Sequence, residues 1–430
     1  MSKKVGLTLL AVVLLGLPLC FNLVKAKEKQ VTIRVCDFQL TVEPTATAMN
    51  KIIDEFEKEY PNIKVEREPV PLSQVSLKYV TQARANQAPD VVRAQDYWVS
   101  GWHKDGYLLD LKSFIDREGG SRYKKQFFDN TWKLVDVGKG TYGIPAWSSF
   151  VVLTYNKKIF KEAGLSELDP NKPITWAEFL EIAKKVNQPE KGIWAYGMHG
   201  SNQQSAVTRF LTWLYNNGTD VLNKNNTKSL LDEEKAIEAL KFWSELATKY
   251  KLVPPGPTDV AADEARTLLA QRRVAMIQSP VQALDEIIVK NPSVKSELSM
   301  APMPSNIGKS YSPQFSTYWV ISKKTKNAEA AWKFVEFFSR KQSQVTIHSI
   351  SRMTPSRKDA LEDPIVQKDI TGKVALSMAN NSLMFPTIPQ WSQITNILGD
   401  AMQAPLVGAS TPEQSFKKAA NSINKLLSSK

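Results

Sequence analysis

Val31-Thr32-Ile33-Arg34-Val35-Cys36 alternates apolar and polar side chains, which places Val31, Ile33 and Val35 on one face of a strand. Ile52, Ile53, Phe56 and Tyr60 then recur at helical spacing until Pro61 stops the run, and Ile63 to Val70 extends again. Strand, helix and strand in this order open an α/β fold, with helices packed on a sheet. A second helix is predicted near Val75 to Ala85. Pro89 breaks it, and Asp90-Val91-Val92 reads as a short buried strand leading into an aromatic loop, Gln95-Asp96-Tyr97-Trp98. Ligands of open α/β sheets bind at such strand ends.

The alternation continues outward. Gly143-Ile144-Pro145-Ala146 precedes a strong strand, Phe150 to Tyr155, and the chain passes from one unit to another about here. Thr175-Trp176-Ala177-Glu178 is a capping box opening a helix with Phe179, Ile182, Ala183 and Val186 inward. Trp176, at its first position, is expected to be partly exposed. Ala236, Leu240, Trp243 and Ala247 share one face of a long helix that ends before Pro254-Pro255-Gly256-Pro257. A late strand, Tyr318 to Ser322, leads to a helix from Ala328 to Arg340, and Thr411-Pro412-Glu413-Gln414 starts the last helix. Trp213, Trp243 and Trp332 fall within helical patterns as core residues.

The 430 residues allow two or three folding units, and 42% apolar with 23% charged residues is ordinary globular composition. Lys and Arg exceed Asp and Glu by 13, yet no run of five or six basic residues occurs. The excess reads as a solvated basic surface rather than a phosphate-tracking stripe, so nucleic acid is not an expected partner. Two lysines before an almost uninterrupted apolar stretch, Val5 to Val24, describe an export signal over residues 1–26, with cleavage after Ala26. A lipoprotein processed at Leu17-Pro18-Leu19-Cys20 and an uncleaved anchor are the alternatives. Cys36 is then the only mature cysteine and reads as core. His103, His199 and His348 stand isolated, and the glycine-rich nucleotide motifs are missing, so neither metal nor cofactor is expected.

Several stretches together resemble the extracellular solute-binding proteins of ABC sugar importers, the maltose-binding-protein family. They are Ala85 to Val92, Gly106-Tyr107-Leu108-Leu109-Asp110-Leu111, Tyr142-Gly143-Ile144-Pro145 to Lys157, and Ile174 to Phe179. Arg273 to Ile277, Ala301-Pro302-Met303-Pro304, Val320 to Ala331, and Met384 to Trp391 continue the series in the family's order. The resemblance implies an α/β, two-lobed periplasmic-binding-protein-like fold, with a hinge and a ligand cleft between the lobes. Residues 27–146 and 300–350 would form one lobe and 147–299 and 351–430 the other. Closure over a ligand would be favoured by contacts to both lobes at once.

A sugar offers an apolar C–H face and a rim of hydroxyls, so its pocket needs aromatic surfaces with amide or carboxylate groups at their edges. By resemblance, Asp37, Phe38 and Gln39 follow the first strand where contacts lie; Asp37 capping a turn is the competing reading. Tyr97 and Trp98 match the first-lobe pocket loop, unless one of them is core. Trp147, just after the hinge motif, and Trp391 are read as stacking surfaces. Asn202 and Gln203 occupy a polar loop, Gly200 to Gln204, placed over the ligand, with a plain solvated loop as the alternative. Gln278 ends a strand beside the pocket, and Val281 stands where relatives often carry an aromatic. Tyr318 and Trp319 replace a stretch often rich in glycine, and alternation lets only one of them line the cleft. Arg352 would hold an anionic sugar or a glycerophosphodiester, or else bridge the lobes as an ion pair.

The function expected is that of a monomeric, exported, carbohydrate-binding component that delivers its ligand to the transmembrane subunits of an ABC permease. It would be no enzyme. An extracytoplasmic carbohydrate-active enzyme, which needs two carboxyl groups flanking the scissile bond, is the rival reading. A sensor or adhesin of the same fold, and a binder of a non-sugar ligand, are the others.

Overall fold

The computed structural model describes residues 29–386 and 388–429. The export segment and Cys20 lie outside the described residues. Three strands open the chain: β1 (Val31–Asp37), β2 (Ile63–Pro69) and β3 (Val91–Gln95). β1 runs parallel to β2, with Val31 opposite Ile63, and parallel to β3 on its other edge. A small ribbon, β4 (Asp136–Val137) with β5 (Gly140–Thr141), precedes the long β6 (Ile144–Asn156), all of whose residues are buried. Then come β7 (Trp194–Gly197), β8 (Val274–Pro280), β9 (Leu298–Ala301), β10 (Ser312–Ile321) and β11 (Ser382–Leu383). The main path is β2-β1-β3-β10-β6-β8-β7, with β9 pairing to β6 and β11 to β10.

β6 and β10 make the hinge. The first half of β6 pairs antiparallel with β10, from Ile144 opposite Trp319 to Phe150 opposite Gln314. Its second half pairs with β8 and β9. β10 in turn is antiparallel to β3, with Thr317 opposite Gln95 and Trp319 opposite Arg93. One curled sheet therefore passes through both lobes. A bulge between Thr317 and Tyr318 shifts the register within β10, and such bulges bend a strand and re-aim its side chains.

The hydrophobic interior divides accordingly. One core gathers residues between Ile33 and Trp147 with residues between Tyr318 and Met353. A second joins Leu153 to Met303 with Ile394 to Ile423, and a third packs Ala360 to Ala379 against Val274, Ile277 and Val281 on the same lobe. The helices begin where the sequence signals them. The Thr175 hydroxyl accepts from Glu178 N at 3.1 Å while the Glu178 carboxylate accepts from Thr175 N at 2.7 Å, and Thr411 with Gln414 repeats the box. Trp213, Trp243 and Trp332 are buried, as is Cys36, whose thiol is pushed up to about 12 mainly by burial. Trp176 is also buried rather than partly exposed: its ring stacks on Phe242 at 4.6 Å and its Nε1 donates to Pro304 O.

Gln95 to Trp98 is not a loop. A helix, Asp96–Lys104, starts directly from β3, so the strand's carboxyl end and a helix amino end coincide at the cleft.

Candidate functional site

The strand ends and the hinge enclose a cleft with two chambers of about 790 and 660 Å³, which share Gln95, Arg209 and Phe315. In the larger chamber the first lobe contributes Asp96, Tyr97 and Leu134. The second contributes Gln204, Ser205 and Thr208 from the helix Gln204–Tyr215, and Phe385, Ile388 and Trp391 from the carboxy-terminal part. Half-buried Phe315, on β10, forms the floor. Its ring meets Phe385 edge-on at 5.5 Å, and Phe385 lies 6.2 Å from Trp391 at a shallow angle of 33°. These rings form an aromatic bank facing Tyr97, which is 69% exposed. Such flat apolar surface beside polar groups suits a ligand with one apolar face and a polar rim.

Asp96 opens its helix from β3, and its carboxylate accepts from Tyr97 N at 2.8 Å and Ser316 N at 3.2 Å. Burial pushes this carboxyl up to about 6, against the pull of those backbone N–H groups. Across the cleft, Arg209 is 7% exposed. Its Nη1 donates to Ser205 O at 3.0 Å and its Nε has no partner among the described residues. Burial draws its guanidinium down to about 10, with Arg266 adding to the effect and Glu286 opposing it. Behind it, buried His199 is held well below its ordinary range by desolvation and by the two arginines, so it stays neutral.

The smaller, hinge-side chamber is lined by Phe38, Gln39, Trp147, Ser149, Thr317 and Gln282. Ser149 donates to the Gln282 side chain. Beneath Trp147 lies a buried charge. The Arg93 guanidinium sits 3.3 Å from the Trp147 ring centre and 3.9 Å from that of Trp319, and its Nε donates to Asp37 at 2.7 Å. Cross-strand pairing of Arg93 with Trp319 and the adjacent bulge assemble this sandwich.

The structure thus distributes the sequence-predicted residues unevenly. Phe38, Gln39, Tyr97, Trp147 and Trp391 reach the cleft. Asp37 does not: it is fully buried, pairs with Arg93 and caps the following turn through Gln39 N at 2.9 Å. Trp98 packs on the first-lobe core and stacks on Trp102 at 5.4 Å, so Tyr97 alone of that pair faces the cavity. Tyr318 and Trp319 both belong to the interior, since the Tyr318 hydroxyl donates to Thr131 O at 2.6 Å and Trp319 lies on Arg93. Phe315 and Thr317 line the cleft in their place. Gln278 is spent on Tyr196, Thr212 and Arg209 O. Exposed Asn202 and Gln203 line neither chamber; their neighbours Gln204 and Ser205 do. Arg352 lines neither chamber and is engaged by Asp285 and, at 3.1 Å, by Asp369.

Arg209 and Phe315 were not singled out by sequence reasoning, while Asp96 and Phe385 lie in stretches it quoted without naming them as contacts. Arg209 did leave a trace: it is the one charge in the run Ala206 to Tyr215, and a lone charge on a buried helix demands either a partner or a task.

Residues 41–345 match the family model described as bacterial extracellular solute-binding protein. A binding protein of Brucella abortus is 25% identical over 416 residues, covering 96% of this chain and 97% of its own length. The maltodextrin-binding protein of Bacillus subtilis is 24% identical, covering 80% and 79% of the two chains. An ABC transporter solute-binding protein from Thermotoga lettingae, solved with α-D-tagatose, superposes with a TM-score of 0.76 at 28% identity, covering 93% of this chain and all of that one. With a family match across most of the chain and a two-lobed fold whose cleft lies at the hinge, this chain belongs to the bacterial extracellular solute-binding proteins.

Proposed function

We propose that the chain is the extracytoplasmic substrate-binding component of an ABC importer, that its solute is a carbohydrate held between the two lobes, and that it hands the loaded complex to the transmembrane permease subunits as a monomer. The observation that carries this reading is the aromatic bank of Phe315, Phe385 and Trp391 facing Tyr97, with Asp96 and Arg209 at its edges. Aromatic faces match the C–H surface of a sugar ring, and the charged and amide groups match its hydroxyls. The sugar ligands of the Thermotoga protein and the Bacillus relative point the same way. The lobes we assign are 27–146 with 300–350, and 147–299 with 351–430, exported by residues 1–26 and then freed after Ala26 or held through a lipid on Cys20.

A melting screen over mono-, di- and oligosaccharides tests the ligand class. A sugar present at about a hundred times its Kd stabilises the protein by ~2.7 kcal/mol, which raises the midpoint by ~3 °C for a chain of this size. Trp391→Ala should weaken that ligand at least ~10-fold while the unliganded midpoint hardly moves, because the ring is only half-buried. No midpoint shift with any sugar would remove the proposal. Chromatography of the recovered ligand distinguishes binding from hydrolysis, since a binding protein returns it intact.

A further inference from the structure

Resting on the carbohydrate reading above, we propose that the solute is an acidic sugar, whose carboxylate or phosphate docks on Arg209 at the amino end of the helix Gln204–Tyr215. Arg209 is more than nine-tenths buried, lines both chambers of the cleft, and forms no ion pair among the described residues. Its guanidinium spends one hydrogen bond on its own helix and leaves Nε unpartnered. A cation stripped of water and left unpaired is unfavourable, so an arginine kept in this state is completed by something that enters the cleft.

The neighbouring carboxylates are committed elsewhere. Glu286 is held by Arg266 at 3.1 Å, Asp263 by Lys290 at 3.0 Å, and Asp285 by Arg352. Asp96, on the opposite wall, is tied by the backbone of Tyr97 and Ser316. The helix end adds to the same charge: Gln203 supplies no side-chain cap and the first turn contains no acidic residue, while Gln204 and Ser205 border the chamber. First-turn N–H groups and an arginine together form an anion cradle. The cleft is therefore polarised, with an acceptor wall at Asp96 for hydroxyls, an aromatic bank for the ring, and a donor wall for an acid. A neutral sugar would satisfy the first two and leave the third charged and empty.

Matched pairs test this on the full chain by calorimetry: glucose against glucuronate, galactose against galacturonate, and glucose 6-phosphate as the phosphate arm. The acidic member should bind at least ~10-fold tighter than its neutral counterpart, with the advantage shrinking as salt is raised. The arm that binds identifies the group. Arg209→Gln should abolish the advantage and Arg209→Lys should restore part of it. Ser205→Asp, which brings a carboxylate to a helix turn that tolerates one, should abolish it as well, independently of any folding defect in the arginine variants. Equal or tighter binding of the neutral sugars overturns the inference and leaves the carbohydrate reading intact, as does an acid preference that survives both Arg209→Gln and Ser205→Asp. If no member of any pair binds, this inference falls, while the carbohydrate reading stands or falls on the wider screen of mono-, di- and oligosaccharides.

Discussion

Arg93 shows what a single buried charge requires. Its guanidinium is flanked by two indoles and reaches Asp37, itself fully buried. Cation–π contact adds about 2 kcal/mol when the cation is desolvated, but the carboxylate carries the compensation. Asp37→Ala should therefore cost ~3–5 kcal/mol, read as a lower urea midpoint, because it strands the cation without its counter-charge. A midpoint shift below ~1 kcal/mol would mean that the tryptophans alone accommodate Arg93. Asp96 makes a different prediction, in pH. Its carboxyl, raised by burial to about 6, holds a proton in the folded state more readily than in the unfolded chain. Its contribution to stability is therefore complete below the ordinary carboxylate range and is lost as pH climbs to about 6. Asp96→Asn should flatten that part of the stability–pH curve. A solute whose hydroxyls donate to the ionised carboxylate should, over the same interval, bind more tightly as pH rises; calorimetry at several pH values checks this, and a flat affinity profile would exclude Asp96 from the contact.

Among the elements, the helix Ile370–Ala379 contains a tight approach. A Cβ on Gly372 would overlap the Val366 carbonyl of the preceding short helix, Pro364–Lys368. Replacing a mid-helix glycine by alanine usually gains about 1 kcal/mol. Here Gly372→Ala should instead lose ~1–3 kcal/mol, since backbone must move to admit the methyl; a rise in melting temperature would show that the helices separate freely. Element legibility followed local chemistry. The β-α-β opening and the Thr175 and Thr411 caps were readable because each depends on residues a few positions apart. β10 was read only from Tyr318 onward: Ser312 to Thr317 is mostly polar, buried by the hinge rather than by an apolar pattern. Gln95 to Trp98 reads as a loop in sequence because Asp96, the helix's own first residue, bonds to the adjacent Tyr97 N and gives no capping spacing.

At the scale of the molecule, sequence order conveyed the two-lobed plan through the family resemblance, while the pairing of residues across the cleft was not legible. Arg209 and Asp96 are 113 positions apart, and nothing local says that they face one another. Arg352 was legible in both its roles, and in the structure it lines neither chamber and pairs with Asp285 and Asp369. It ends the helix Lys341–Ser351, which packs on the first lobe through Thr45–Glu59, and it reaches Asp285 and Asp369 in the second. Arg352→Met should cost ~2 kcal/mol in urea midpoint with an unchanged slope, as an intact body losing one charged tie; a shallower slope would indicate that the lobes then melt separately.

The placement of β10 has a consequence for how the protein is made. This strand completes the first lobe by lying between β3 and β6, yet it is encoded 217 residues beyond β3. Whatever order the chain emerges in, the amino-terminal lobe keeps an open sheet edge until Ser312 to Ile321 is available to fill it. Chains truncated short of Ser312 should expose that edge and clump, whereas those ending a few dozen residues past Ile321 should already hold the lobe closed.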